Sequence, residues 1–137
     1  MDFAQLLNTE TPFDQNKLAI LEQVINIFYA PTTTQQDRQA ANKLLDQFQK
    51  LPTSFQYCEF ILNNTQSNNT RVLALNIYET FIKEKWNLLD NDSKLNLRNF
   101  LVGLLIKFVM DKNFYGNNTN HFLINKLNIV MKKMLYI

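Results

Sequence analysis

Residues 71–89 read RVLALNIYETFIKEKWNLL, and their apolar side chains recur at Val72, Leu75, Tyr78, Ile82 and Trp86. Steps of three and four residues put these side chains on one stripe of an α-helix, whereas a strand would need alternation every second residue. The same period recurs on both sides. The spacing predicts a first helix from about Gln15 to Tyr29, with Asp14 as its cap and Leu18, Leu21, Ile25 and Phe28 on one face, closed by Pro31. A second follows from about Gln35 to Lys50 behind a Thr34 cap, with Asp37 three residues on; it buries Ala41, Leu44, Leu45 and Phe48 and ends before Pro52. A third, from about Ser54 to Asn63, offers Phe55, Cys58, Ile61 and Leu62. The fourth runs from Asn68–Asn69 to about Trp86.

A fifth helix, capped by Asp92 or Ser93, extends to about Met110. It is apolar almost all round (Leu97, Phe100, Leu101, Leu104, Leu105, Phe108) and is expected to be central and packed on two sides. An Asn- and Gly-bearing loop from Asp111 to Asn120 precedes a sixth, with Phe122, Leu123, Leu127, Val130, Met131 and Met134. The odd-numbered helices begin near positions 15, 54 and 93, a period close to the ~40 residues of HEAT and armadillo arrays. The expected fold is an all-α, α-α superhelix of HEAT/ARM-like repeats, three helical hairpins at about 15–50, 54–86 and 93–136. The same periodicity also suits a six-helix bundle. The apolar ending Leu135-Tyr136-Ile137 lacks the polar outer face that caps a solenoid, so a fragment of a longer superhelix that retains its natural start at Met1 is expected.

Composition agrees. With 137 residues, 46% of them hydrophobic, there is room for one domain or a few repeats, and two glycines with three prolines cannot supply the tight turns of a β-sandwich. The longest apolar run, Phe100 to Met110, is interrupted by Lys107 and is about half the ~20 residues that span a bilayer. No secretory signal or transit peptide is visible in residues 1–30, so a soluble intracellular protein with no membrane partner is expected. Nineteen asparagines lie mainly between the periodic segments, where they favour turns and caps; the Asn-x-Ser/Thr triplets at Asn63, Asn68, Asn91 and Asn117 are read as products of that excess.

Catalytic and metal chemistry has no constellation here. Cys58 is alone and cannot form an internal disulfide, and with His121 as the one histidine a zinc site lacks ligands. Cys58 reads as a small buried thiol on the inner face of the third helix, and His121 as a residue capping or flanking the sixth. There is no glycine-rich phosphate loop, H-E-x-x-H or Cys-x-x-Cys pattern. Neither an enzyme nor a cofactor is expected. The net charge of +2 is too small for dense phosphate neutralisation, and no exposed stripe alternates aromatic with basic residues, so direct nucleic-acid binding is disfavoured. Charge is unevenly divided: residues 1–60 sum to −3 and residues 61–137 to +5, a field that could steer a charged protein partner.

Several segments together resemble the importin-β-type N-terminal domain of the karyopherins, and among them most closely the export receptor for leucine-rich signals. Asp2-Phe3-Ala4-Gln5 with the Leu18–Tyr29 helix looks like the family's opening. Arg38, Ala41 and Leu45 are similar to its Arg-x-x-Ala-x-x-x-Leu core, and Ile82, Lys83, Trp86 and Leu89 to its Ile-Lys-x-x-Trp-x-x-Leu ending. Val102–Lys107 and Lys126-Leu127-Asn128 favour the export branch, while Asn113–Asn120 departs from the pattern. The resemblance implies binding of Ran-GTP by the N-terminal repeats and of export cargo through C-terminal repeats missing here. It also implies contact with nucleoporins and shuttling between nucleus and cytoplasm. The second helix of each pair then lines the concave side, which makes Gln36, Gln39, Asn42 and Asp46, then Asn76, Glu79 and Lys83, then Asn125, Asn128 and Lys132 the candidate Ran contacts. Trp86 and Ile82 would lock the repeat packing. An importin-like receptor and a generic α-solenoid scaffold are the rival readings.

Overall fold

In the computed structural model, which describes residues 3–111 and 118–135, six α-helices follow one another: α1 Gln15–Tyr29, α2 Gln35–Gln49, α3 Ser54–Asn64, α4 Asn68–Lys85, α5 Asn91–Met110 and α6 Asn118–Leu135. Short 3-10 segments occupy Phe3–Leu7 and Trp86–Leu88. There is no strand among the described residues. The fold is all-α, with α1 packed on α2 and α5 on α6, the helix pairing of the HEAT-like class.

The helix starts follow from side chains that satisfy orphan amides. Asp14 accepts from the Lys17 amide at 3.0 Å and Thr34 from the Asp37 amide at 3.1 Å, as their positions in the sequence predict. At α5 the cap is Asp90, not Asp92 or Ser93. Asp90 is extended, and its carboxylate accepts the Ser93 amide at 2.6 Å, so Ser93 donates to the cap. Trp86 lies beyond α4, in the 3-10 turn that closes it. The loop expected up to Asn120 gives way to α6 at Asn118. Residues 112–117 of that loop, with Asn117, and Met1-Asp2 and Tyr136-Ile137 lie outside the described residues.

The chain divides into two compact units, residues up to Thr70 and residues from Arg71. In the first, Leu18, Leu21, Val24, Ile25, Phe48, Cys58 and Ile61 are sealed from solvent. Phe13, just before α1, completes an aromatic cluster: its ring stacks on Tyr57 at 4.9 Å and meets Phe48 and Phe60 at 5.9 Å each. In the second unit Leu75, Ile82, Trp86, Leu101, Leu123, Leu127 and Val130 form the core.

The expectation that α5 is the enclosed helix is corrected. Leu97, Leu101, Leu104 and Phe108 are buried, but Leu95, Val102, Ile106 and Val109, on the opposite side of the same helix, are 40–57% exposed. Alpha-helical spacing gives α5 two apolar faces, and one of them is uncovered among the described residues. On α4, by contrast, Leu73, Ala74, Leu75, Ile77 and Tyr78 are all buried. On α6 the Phe122 ring, expected inside, is 60% exposed, and Ile124 is buried beside Leu123.

Candidate functional site

In the first unit the candidate surface is the outer face of α2, and Arg38 positions that helix. Its Nε donates to Phe28 O at 3.1 Å and its Nη2 to Ala30 O at 2.9 Å, capturing carbonyls at the C-terminal end of α1 that have no intrahelical donor. One turn further along α2, Ala41 is buried, and Leu45 reaches the core one turn beyond that. The Arg38, Ala41, Leu45 pattern is therefore a clamp followed by two packing positions. With α2 so fixed, Gln36, Gln39, Asn42 and Asp46 all face solvent. Gln39 and Asn42 share a shallow groove of about 310 Å³ with Phe28, Gln35 and Arg38. Asp46 pairs with Lys50 at 3.0 Å on an exposed turn, where such a pair contributes little.

A deeper groove of about 490 Å³ lies on another side of the pair, with Val24, Ile27, Ala41 and Leu44 as its apolar lining and Thr32, Thr33, Thr34 and Asp37 as its polar one. Two further polar features hold this unit together. The Glu22 carboxylate accepts from the buried hydroxyls of Thr65 (2.9 Å) and Thr70 (3.1 Å), tying α1 to the end of α3 and the first turn of α4. Lys17, 6% exposed, donates to the carbonyls of Asn8 and Thr11 and so anchors the segment before α1. Neither partner set is visible in sequence, because Glu22 and Thr65 are 43 residues apart, and the carbonyls that receive Lys17, at the head of the apolar stripe through Ile20, Leu21 and Val24, belong to an irregular segment.

In the second unit the candidates separate. Lys83, Asn125, Asn128 and Lys132 are exposed, but Asn76 and Glu79, expected to face outward, are half-buried. Glu79 lies between two lysines of α6: Lys126 Nζ donates at 2.9 Å and Lys133 Nζ at 3.4 Å. The hydrogen bond from Lys126 is the largest influence that holds the Glu79 carboxyl below its ordinary value; the nearby positive charges add to it, against partial desolvation. The two lysines are seven residues apart, two helical turns, so one carboxylate on α4 can hold both. Asn128 and Lys132 come together elsewhere, around a groove of about 370 Å³ shared with Arg98, Val102, Met131 and Met134.

Trp86 anchors this unit. It is 1% exposed, with Lys94 Nζ 5.7 Å and the Arg98 guanidinium carbon 5.6 Å from its ring centre. Ile82, one turn earlier, is completely buried. The Ile82/Trp86 signature is thus a packing element, as the sequence reading has it.

Cys58 is fully buried, its thiol donating to Ser54 O at 3.5 Å, and burial pushes the thiol pKa up, so it stays protonated. His121 is exposed in the first turn of α6. Among the described residues no three His, Cys, Asp or Glu side chains converge as a metal site would need. No helix among them is long and apolar enough to cross a membrane.

Comparison with known proteins shows what these features resemble. Residues 41–107 match the importin-beta N-terminal domain. The chain is 29% identical over 130 residues to Exportin-1 of Dictyostelium discoideum, covering 95% of this chain and 12% of that protein. It is 27% identical over 118 residues to Exportin-1 of Schizosaccharomyces pombe, covering 86% of this chain and 11% of the relative. Protein EXPORTIN 1B of Arabidopsis thaliana is 25% identical over 131 residues, 96% of this chain and 12% of its own length. The chain thus spans about an eighth of the curated relatives it matches. The matched segment runs from the Ala41 packing position through Trp86 into α5, so the chain is similar to the importin-beta N-terminal domain over these residues and to exportin-1 proteins over nearly its whole length.

Proposed function

We propose that this chain is the N-terminal part of a nuclear export receptor that binds Ran in its GTP form and, within a longer protein, helps to carry leucine-rich export-signal cargo out of the nucleus. The observation that carries this reading is the similarity to Exportin-1 along 130 residues, nearly the whole chain. Three HEAT-type pairs, at about 15–50, 54–86 and 93–136, would present their second helices to the GTPase. The exposed faces of α2 and α6 support this: Gln36, Gln39, Asn42, Asn125, Asn128 and Lys132 are polar and open, as a surface for a reversibly bound protein should be.

The mechanism is binding without chemistry in the receptor. Ran-GTP and cargo each favour one form of the superhelix, so each raises the other's affinity by a reciprocal coupling free energy. Hydrolysis in Ran then releases both, and passage through the pore brings contact with nucleoporins and alternation between nucleus and cytoplasm. Titration of the chain, and of a longer chain that continues it, with Ran loaded with GTP or GDP tests the reading. Preference for the GTP form supports it; equal indifference to both in the longer, folded chain rejects it.

A further inference from the structure

Residues 8–14 join the first 3-10 turn to α1 without regular structure, and Thr11 is exposed among them. The hydroxyls of Thr34, Thr53, Thr65 and Thr70 are engaged by a backbone amide, Tyr57 or Glu22. That of Thr11 has no hydrogen-bond partner among the described residues. Thr11-Pro12 is also the one Ser/Thr-Pro pair in the sequence. The proline ring disfavours helical backbone at the residue before it, so Thr11 is biased toward the extended, accessible form in which a peptide can be laid across another protein.

A second observation lies directly beneath. Lys17, 6% exposed, donates its ammonium to the carbonyls of Asn8 and, at 2.9 Å, of Thr11 itself. No carboxylate lies within ion-pair distance of it among the described residues. Glu10 and Asp14, the acids nearest in sequence, are exposed, and Asp14 accepts from the Lys17 backbone amide. A buried cation is ordinarily matched by an anion; here two neutral carbonyls stand in its place.

From the free hydroxyl and the unmatched cation together, we propose that Thr11 is a phosphorylation site for a proline-directed protein kinase, and that Lys17 holds the phosphate once it is attached. In the transfer, Thr11 Oγ1 attacks the γ-phosphorus of Mg-ATP. The new O–P bond forms as the bond to the β–γ bridging oxygen breaks, ADP leaves, and the hydroxyl proton passes to the catalytic carboxylate of the kinase. The product places about 1.5–2 negative charges and three acceptor oxygens on the residue whose carbonyl already binds the ammonium. Pairing with Lys17 then fastens the segment that leads back to Leu6, a side chain 1% exposed. Glu10 and Asp14 oppose the phosphate, but exposed charges are screened and weigh less than a cation withdrawn from water. None of the candidate GTPase contacts on α2, α4 or α6 takes part, so the site stands apart from that reading.

The test incubates the 137-residue chain with Mg-ATP and a purified mitogen-activated protein kinase, which is proline-directed, and maps the product by peptide mass spectrometry. Labelling should fall on Thr11, persist in Thr11→Ser and vanish in Thr11→Ala. Pro12→Ala, which leaves the hydroxyl in place at an exposed position, should slow it at least about tenfold. Phosphorus-31 NMR then reads the capture: the second ionisation of the phosphate should occur at lower pH in the chain than in a phosphorylated free peptide of residues 8–15, by about 0.5 or more. Lys17→Arg should keep that lowering and Lys17→Met should remove it. No labelling of the wild type, labelling at Thr9 or Thr32 to Thr34 in place of Thr11, or indifference to Pro12→Ala overturns the proposal. So does a phosphate that ionises alike in the chain, in Lys17→Met and in the free peptide.

Discussion

The two units hold their helices together by different means. Up to Thr70, the long-range polar links run largely to backbone carbonyls or neutral hydroxyls: Arg38 to Phe28 and Ala30, Lys17 to Asn8 and Thr11, Glu22 to Thr65 and Thr70. From Arg71, the corresponding link is a charge cluster, Glu79 with Lys126 and Lys133, beside a buried tryptophan under two cations. Backbone carbonyl acceptors and hydroxyl donors do not titrate near neutral pH, and charge-assisted bonds with them survive salt better than exposed ion pairs do. The first unit should therefore keep its geometry across conditions, while the second responds to pH and ionic strength.

The largest effect that sharpens this contrast is Trp86→Ala. Removal of so large a buried side chain should cost about 3–5 kcal/mol, read as a fall in the urea midpoint. If the loss is under about 1 kcal/mol, Trp86 is not the anchor of the second unit. Next, Arg38→Ala should cost about 1–3 kcal/mol through orphaned carbonyls at the end of α1, with little dependence on salt between low and moderate ionic strength. Arg38→Lys should recover only part of that loss, since one ammonium cannot reproduce the guanidinium fork.

The pH arm follows from Glu79. Its carboxyl is held below the ordinary value of 4.5, so the stability it supplies is fully present above that value and is lost as pH falls through the lowered folded one. Between neutral and acid pH, wild type should lose more stability than Glu79→Gln, measured as urea midpoints at each pH. Parallel curves would show that the lysines on α6 do not depend on the carboxylate. The smallest expected effect is a gain: Gly103→Ala, in mid-helix with open space beside it, should raise stability by about 0.5–1 kcal/mol, checked by thermal melting.

Most of the helix pattern can be read from local signals. Asp14 and Thr34 announce their helices because a cap is a contact over three residues, and the stripes through Leu18–Ile25 and Leu75–Trp86 are set by period alone. Where the reading departs from the structure, either adjacent residues are equally suited to the role or the deciding contact is distant. Asp90 takes the cap of α5 from two equally suitable neighbours. Alpha5 has two apolar faces, and period cannot say which of them has a helix on it. Glu79 reads as an outward carboxylate until Lys126 and Lys133, 47 and 54 residues later, arrive on α6. On the functional side, the family signature was legible because its residues are structural. Arg38 clamps, Ala41 and Leu45 pack, and Trp86 anchors, so these residues answer to packing rules, whereas the polar contact surface around them carries no such rule to read.

That surface is where the central claim is exposed to test. Affinity for Ran-GTP and Ran-GDP should be measured by calorimetry on a longer chain, with and without combined changes at Gln39 and Asn42 on α2 and Asn125 and Asn128 on α6. The account predicts binding selective for GTP that these changes weaken while the fold is kept. Equal affinity for the two nucleotide states, or GTP-selective binding indifferent to both helices, would contradict it.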